Sequence, residues 1–204
     1  MTTSSTDKYF PVPIHEMGFL PRKYHMFKLS DLDTDRKREV LDEIMDGKSA
    51  YIFGPPGTGK TMLGVMAAKY VLGKQLALQK DGGYVGQIEY ISFPSFVIEL
   101  QTSFQGKRDA FDILKERVCR PQFLLIDDFG ADGLTDFVRR VIYFMINERD
   151  LGMRQTVITS NYNLDEIDVQ IDPRISSRIA GMCKIIEPME GDDRRLQKPE
   201  NKKE

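Results

Sequence analysis

Lys60 and Thr61 close the stretch YIFGPPGTGKT (Tyr51–Thr61), which sets Gly54, Gly59, Lys60 and Thr61 at the spacing G-x-x-x-x-G-K-[ST]. That spacing builds a phosphate cradle. The glycines let the backbone curl so that successive N–H groups point inward around an anion, with no Cβ in the way. A helix starting at the end of the loop adds the positive end of its dipole. Lys60 reaches the β- and γ-phosphates of a nucleoside triphosphate, and the Thr61 hydroxyl is a ligand for Mg²⁺. Pro55 and Pro56 restrict the loop, so less entropy is lost on closing over phosphate. Gly54, Pro55, Pro56, Gly57, Thr58, Gly59, Lys60, Thr61 and Met62 are therefore the expected binding residues, with a nucleoside triphosphate and Mg²⁺ as the expected ligands.

Two further groups carry chemistry. Asp127 and Asp128 follow the apolar run Phe123–Ile126, at the carboxyl end of an expected strand, where ligands of open parallel sheets collect. One carboxylate there holds Mg²⁺ together with Thr61 and its neighbour orients an attacking water; we assign Asp127 to the metal and Asp128 to the water. Beyond the next strand, Thr159-Ser160-Asn161 places a polar side chain between these acids and the γ-phosphate, where an amide can bond both phosphate and water. Arg174 and Arg178, four residues apart, share one helical face. They are either surface ion-pair residues or cations that stabilise transition-state charge, supplied by a neighbouring subunit.

The elements that must position these groups follow from the hydrophobic pattern. Strands are expected at Ser49–Phe53, Ile88–Ser92, Phe123–Ile126, Gln155–Thr159 and Lys184–Glu187. Helices are expected over 62–72, from Pro94 with Phe96, Val97, Leu100 and Phe104 inward, over 108–118, over 135–150, and from the Asp172 cap and Pro173 to about Ala180. Asp33 or Thr34 caps an earlier helix running to Asp46, and the segment Gly73–Gln87 reads as a loop or hairpin turn around Asp81-Gly82-Gly83. Strands alternating with helices imply a parallel sheet covered on both faces.

Composition narrows the class. The 204 residues suffice for one α/β core, and 41% hydrophobic with 29% charged residues is ordinary globular composition. A net charge of -2 gives no global attraction to nucleic acid, so any such contact is local. Lys107, Arg108, Lys115, Arg117 and Arg120 form either a DNA-binding stripe or a solvated helix face, and Arg36–Arg38 reads as a solvated face. Cys119 and Cys183 are far apart without companion ligands, which argues against a disulfide framework or zinc site and for a reducing cytoplasm. His15 and His25 read as surface residues, and no stretch is apolar enough for a signal core or a membrane span.

GPPGTGKT, LLIDDFG (Leu124–Gly130), ITSN (Ile158–Asn161) and DPRISSRI (Asp172–Ile179) occur in an order and spacing that resembles the AAA+ ATPases. The chain is most similar to the DnaC/DnaI/IstB group of helicase loaders and transposition helpers, and GFLPRKYHMFKLSDL resembles the segment by which that group leads into its ATPase core. The resemblance implies a P-loop NTPase fold with a parallel five-stranded sheet flanked by helices and no C-terminal helical lid. It divides the chain into a tail (1–17), a core (18–189) and a charged tail (190–204), with too little before the core for a helicase-gripping domain. It further implies a Walker A motif at Gly54–Thr61, a Walker B motif at Asp127–Asp128, a sensor at Asn161, and an arginine finger at Arg178 supported by Arg174 across a subunit interface. Gly191-Asp192-Asp193-Arg194 keeps an arginine that the group uses after its last strand, but has Asp where an aromatic residue would stand. Expected partners are further copies of the chain, single-stranded DNA, and a replicative helicase or transposase. A P-loop kinase for a small acceptor is the competing enzyme class; an ATP-switched adaptor is the other alternative, because Asp128 is a shorter carboxylate than Glu.

Overall fold

The computed structural model describes residues 12–28, 41–42, 44, 46–80, 82, 86–103, 109–131 and 134–186. Five strands, β1 (Ser49–Phe53), β2 (Ile88–Ser92), β3 (Phe123–Phe129), β4 (Gln155–Ser160) and β5 (Cys183–Ile186), form one sheet in the order β2-β3-β4-β1-β5. Every adjacent pair is parallel, so both faces must be covered by the connecting helices. Between the strands run α1 (Lys60–Lys80), α2 (Phe93–Ser103), α3 (Ala110–Leu114), α4 (Asp136–Leu151), α5 (Leu164–Gln170) and α6 (Pro173–Met182).

Strand alternation divides the core into two. Tyr51, Ile91, Leu124, Ile126 and Ile158 face α2, α4, α5 and α6, whose Phe96, Val141, Ile167 and Ile175 complete that layer. Ala50, Ile52, Tyr90, Leu125 and Val157 point the other way, against α1 and the segment around Leu20 and Tyr24. Val12 packs on this second layer too.

The expected strands are all present, and the differences have physical causes. The predicted loop at Gly73–Gln87 is helical as far as Lys80. Gly73 in a helix costs about 1 kcal/mol relative to Ala, but Leu72 and Leu76 hold that stretch against the second core layer. The predicted helix over 108–118 is a short α-helix capped by Asp109, running into a π-helical turn at Lys115–Cys119 that buries Val118. The short helix α5 was not expected; its start is fixed by a capping box in which the Asn163 side chain accepts from Glu166 N and Glu166 accepts from Asn163 N. Strand β3 continues through both aspartates to Phe129, and β5 spans Cys183–Ile186 rather than 184–187. Leu41 and Ile44 are helical and buried, but the proposed cap at Asp33 or Thr34, Arg36–Arg38, Phe104, Lys107, Arg108 and Arg194 lie outside the described residues. His25, expected on the surface, is partly buried with its ring nitrogen 3.1 Å from Met17 O and 3.0 Å from Leu20 O. His15 is exposed beside Glu16, and both cysteines are free.

Candidate nucleotide-binding site

The loop between β1 and α1 has the curvature that its glycines permit. Gly54, Gly57 and Gly59 adopt φ of 143°, 79° and 94°, values that L side chains rarely reach. The Lys60 ammonium donates to the Gly54 and Pro55 carbonyls at 2.8 and 2.7 Å, and the Thr58 hydroxyl donates to Pro55 O at 2.9 Å. Helix α1 begins at Lys60, aiming its N-terminal N–H groups at the loop. The result is a cradle of backbone donors with one cation folded over it, a receptor for phosphate.

A cleft of about 630 Å³ opens beside the loop, lined by Pro56, Gly57, Gly59, Lys60, Thr61 and Met62, with Asp128 and Asn161 across from them. The sequence assigned all of these to one site, and the fold brings them together. Gly54, Pro55, Thr58 and Asp127 are not among the cleft's lining residues. Asp127 is 2% exposed, and its Oδ1 accepts from Thr61 Oγ1 at 2.8 Å and from Thr159 Oγ1 at 2.6 Å. A hydroxyl and a carboxylate joined in this way at a phosphate cradle are hard oxygen donors, which suit Mg²⁺.

Asp128 has a different geometry. It sits at φ 56°, where the β3–β4 register shifts between Ile126 and Phe129. This bulge turns its side chain out of the alternation and into the cleft. Its backbone N–H donates to Thr159 Oγ1 at 3.2 Å, so Thr159 connects both aspartates. Left-handed backbone is a strain of about 1–3 kcal/mol for most side chains, and Asp and Asn tolerate it best. Gly130 follows at φ 78°, and a Cβ there would stand 3.2 Å from the Tyr162 ring. Asn161 begins the loop after β4. That loop is tied down by Tyr162 N donating to Ser160 Oγ at 3.0 Å, by Ser160 Oγ donating to Phe129 O at 2.8 Å, and by Tyr51 donating to Tyr162 O at 2.7 Å. Burial pushes the Tyr51 phenol well above its usual range, so it remains a donor.

Arg174 and Arg178 do not line the cleft. Both guanidiniums stack on Tyr143 of α4, at 4.9 and 5.2 Å from the ring centroid. Arg178 also donates to Arg174 O at 3.2 Å, and Arg174 pairs with the helix cap Asp172 at 2.7 Å. The hydrogen bonds from Arg174 hold the Asp172 carboxyl down to about 2. This contact is therefore complete above the ordinary aspartate pKa of about 4 and is lost as pH falls through about 2.

A profile of the family described as "IstB-like ATP binding protein" matches residues 29–201. The chain belongs to the IstB-like ATP-binding proteins. This member is 25% identical over 143 residues to the uncharacterized protein YdaV of Escherichia coli (strain K12), covering 70% of this chain and 53% of YdaV. It thus spans about half the length of that curated relative. Among solved structures it is similar to a putative primosome component from Streptococcus pyogenes serotype M3, with 25% identity, a TM-score of 0.63, and coverage of 86% of this chain and 92% of that one. It is also similar to the DnaC helicase loader, with 21% identity, a TM-score of 0.62, and coverage of 81% and 98%. The fold is that of the P-loop AAA+ NTPases in the DnaC/IstB-like group, as the motifs had implied.

Sequence reasoning missed one wall of this cleft. Lys23, Tyr24 and Phe27 line it from the segment ahead of β1, with Lys23 Nζ 4.5 Å from the Tyr24 ring. The buried Lys69 of α1 fixes that segment by donating to His25 O at 2.9 Å and Phe27 O at 2.8 Å. An apolar, aromatic wall of this kind suits a base rather than a phosphate. The available signal was a lysine in the otherwise apolar stretch Leu63–Leu72.

Proposed function

We propose that the chain hydrolyses Mg·ATP and couples hydrolysis to self-assembly and to a partner acting on DNA, as a helicase loader or transposition helper does. The observation that carries the catalytic part is the joint placement of Asp127 and Asp128. One carboxylate is buried against Thr61, and its neighbour is turned by the bulge into the cleft that Lys60 and Asn161 also line.

In this reading the P-loop amides and Lys60 bind the phosphates, with Lys60 moving from its carbonyl contacts to phosphate oxygens. Thr61 and Asp127 hold Mg²⁺, which when bound neutralises phosphate charge. Asp128 accepts a proton from the attacking water, and Asn161 orients that water and the γ-phosphate. Arg178, with Arg174, acts on the nucleotide of an adjacent subunit. Arg194 is assigned to the same nucleotide on the resemblance alone.

Partner and DNA chemistry rest on the family and on the similarity to a helicase loader. Among the described residues of the basic stripe, Arg117 is engaged within the fold. Arg117 is occupied by Glu89 at 2.7 Å, by Glu99 and by the Tyr90 carbonyl at 3.1 Å, while Lys115 and Arg120 are exposed. Single-stranded DNA would therefore meet Lys115 and Arg120 rather than Arg117.

Two variants test the chemistry. Lys60→Ala removes the cation from the cradle, and a fluorescent ATP analogue is expected to lose measurable binding; unchanged affinity refutes the site. Asp128→Asn keeps a residue suited to the left-handed backbone, so folding and ATP affinity are expected to persist. Turnover should fall by roughly 10²-fold or more, the usual contribution of a general base. Unchanged turnover removes Asp128 from the mechanism, and absence of turnover in the parent chain favours an ATP-switched adaptor.

A further inference from the structure

Three hydroxyls converge on the Asp127 carboxylate, and the third has no counterpart in the motifs. Tyr90, on the edge strand β2, donates its phenol to Asp127 Oδ2 at 3.0 Å, while Thr61 and Thr159 occupy Oδ1. The register explains the reach. Tyr90 pairs with Leu125, so Asp127 lies two residues further along β3 on the same face, within diagonal range of a long side chain. Both residues are buried, Tyr90 at 7% and Asp127 at 2% exposure. The Tyr24 ring meets Tyr90 edge-on at 5.9 Å, and Tyr24 itself lines the cleft.

We propose that Tyr90 is a positioning residue for the metal site: its hydroxyl holds Oδ2 and thereby fixes the rotation of the Asp127 carboxylate with Oδ1 on Thr61. The inference rests on the Mg·ATP reading of the cleft. A carboxylate held at one oxygen only can swing about its last torsion, which is broad for Asp. A donor on the opposite oxygen selects one orientation before any cation arrives. Tyr24 packs the ring in place, which makes the cleft wall and the metal-binding acid neighbours through one side chain.

The test is Tyr90→Phe in the full chain, which keeps the ring and its contact with Tyr24 and removes one oxygen. A fluorescent ATP analogue is titrated first in EDTA and then against Mg²⁺. Affinity in EDTA is expected to stay within about twofold of the parent, because the phosphate cradle is untouched. The Mg²⁺ concentration giving half-maximal enhancement should rise at least ~10-fold, the usual consequence of losing an outer-shell partner. Tyr90→4-aminophenylalanine, which restores a donor at the same place, should return it towards the parent value. A half-maximal Mg²⁺ concentration in Y90F within twofold of the parent overturns the role of Tyr90, and so does failure of the amino variant to recover. A parent chain that binds the analogue with no Mg²⁺ dependence overturns the metal assignment itself.

Discussion

Arg178→Ala is expected to lower ATP turnover by about 10³-fold while leaving ATP affinity nearly unchanged, the range measured for removing a charge-stabilising arginine. Arg178 stands outside the cleft of its own subunit, stacked on Tyr143 with Arg174 beside it. Two cations on one ring are held apart from their own phosphate site and kept in a fixed direction, a surface suited to a neighbour's γ-phosphate. Turnover of the parent chain should then rise more than linearly with concentration. Mixing gives the sharper result. An Arg178→Ala subunit keeps its cradle and a Lys60→Ala subunit keeps its arginine, so the two inactive variants should recover activity together. A linear concentration dependence with normal Arg178→Ala turnover sinks the trans assignment.

The sequence made the phosphate half of the site legible because its constraint is local. Gly54, Gly57 and Gly59 are needed where the backbone turns through positive φ, and such needs are met within a few residues of chain. Asp127 and Asp128 were legible as a pair at a strand end. The bulge that turns Asp128 out of the strand's alternation is announced by no spacing. Thr159, Tyr90 and the wall formed by Lys23, Tyr24 and Phe27 reach the site through strand register and packing between distant segments. A one-dimensional pattern carries no register. For the same reason Arg117 looked like part of a basic stripe until β2 and α2 brought Glu89 and Glu99 against it.

Arg149 is the other residue whose meaning depends on register, and Arg149→Met is expected to destabilise the fold by about 3–5 kcal/mol. The guanidinium lies at the opposite end of the sheet, 0% exposed. It donates to Val118 O at 3.1 Å, Gln122 O at 3.4 Å, Gln155 O at 2.6 Å, the Thr156 hydroxyl at 2.9 Å, and the carbonyl of Pro121. These acceptors lie in the π-helical turn and the residues after it that lead into β3, and in the first two residues of β4, so one side chain on α4 ties together the starts of both central strands. Burial, with Arg154 nearby, draws its pKa down to about 9, which leaves it charged at neutral pH. Two effects oppose each other on substitution. Removing a desolvated cation is favourable by itself, as replacement of buried ion pairs by apolar side chains shows. Here the partners are backbone carbonyls that methionine cannot satisfy, each worth about 1–3 kcal/mol when left buried and unbonded. With several acceptors against one cation, the loss of donors wins. The melting temperature should fall by about 10 °C, at the 2–4 °C per kcal/mol usual for a domain of this size. Arg149→Lys should fall between the two, since one ammonium cannot span acceptors on both turns. An unfolding free energy, measured by urea denaturation, that falls by less than about 1 kcal/mol in Arg149→Met would mean that water replaces the guanidinium, and that the strand starts are fixed by the apolar core instead.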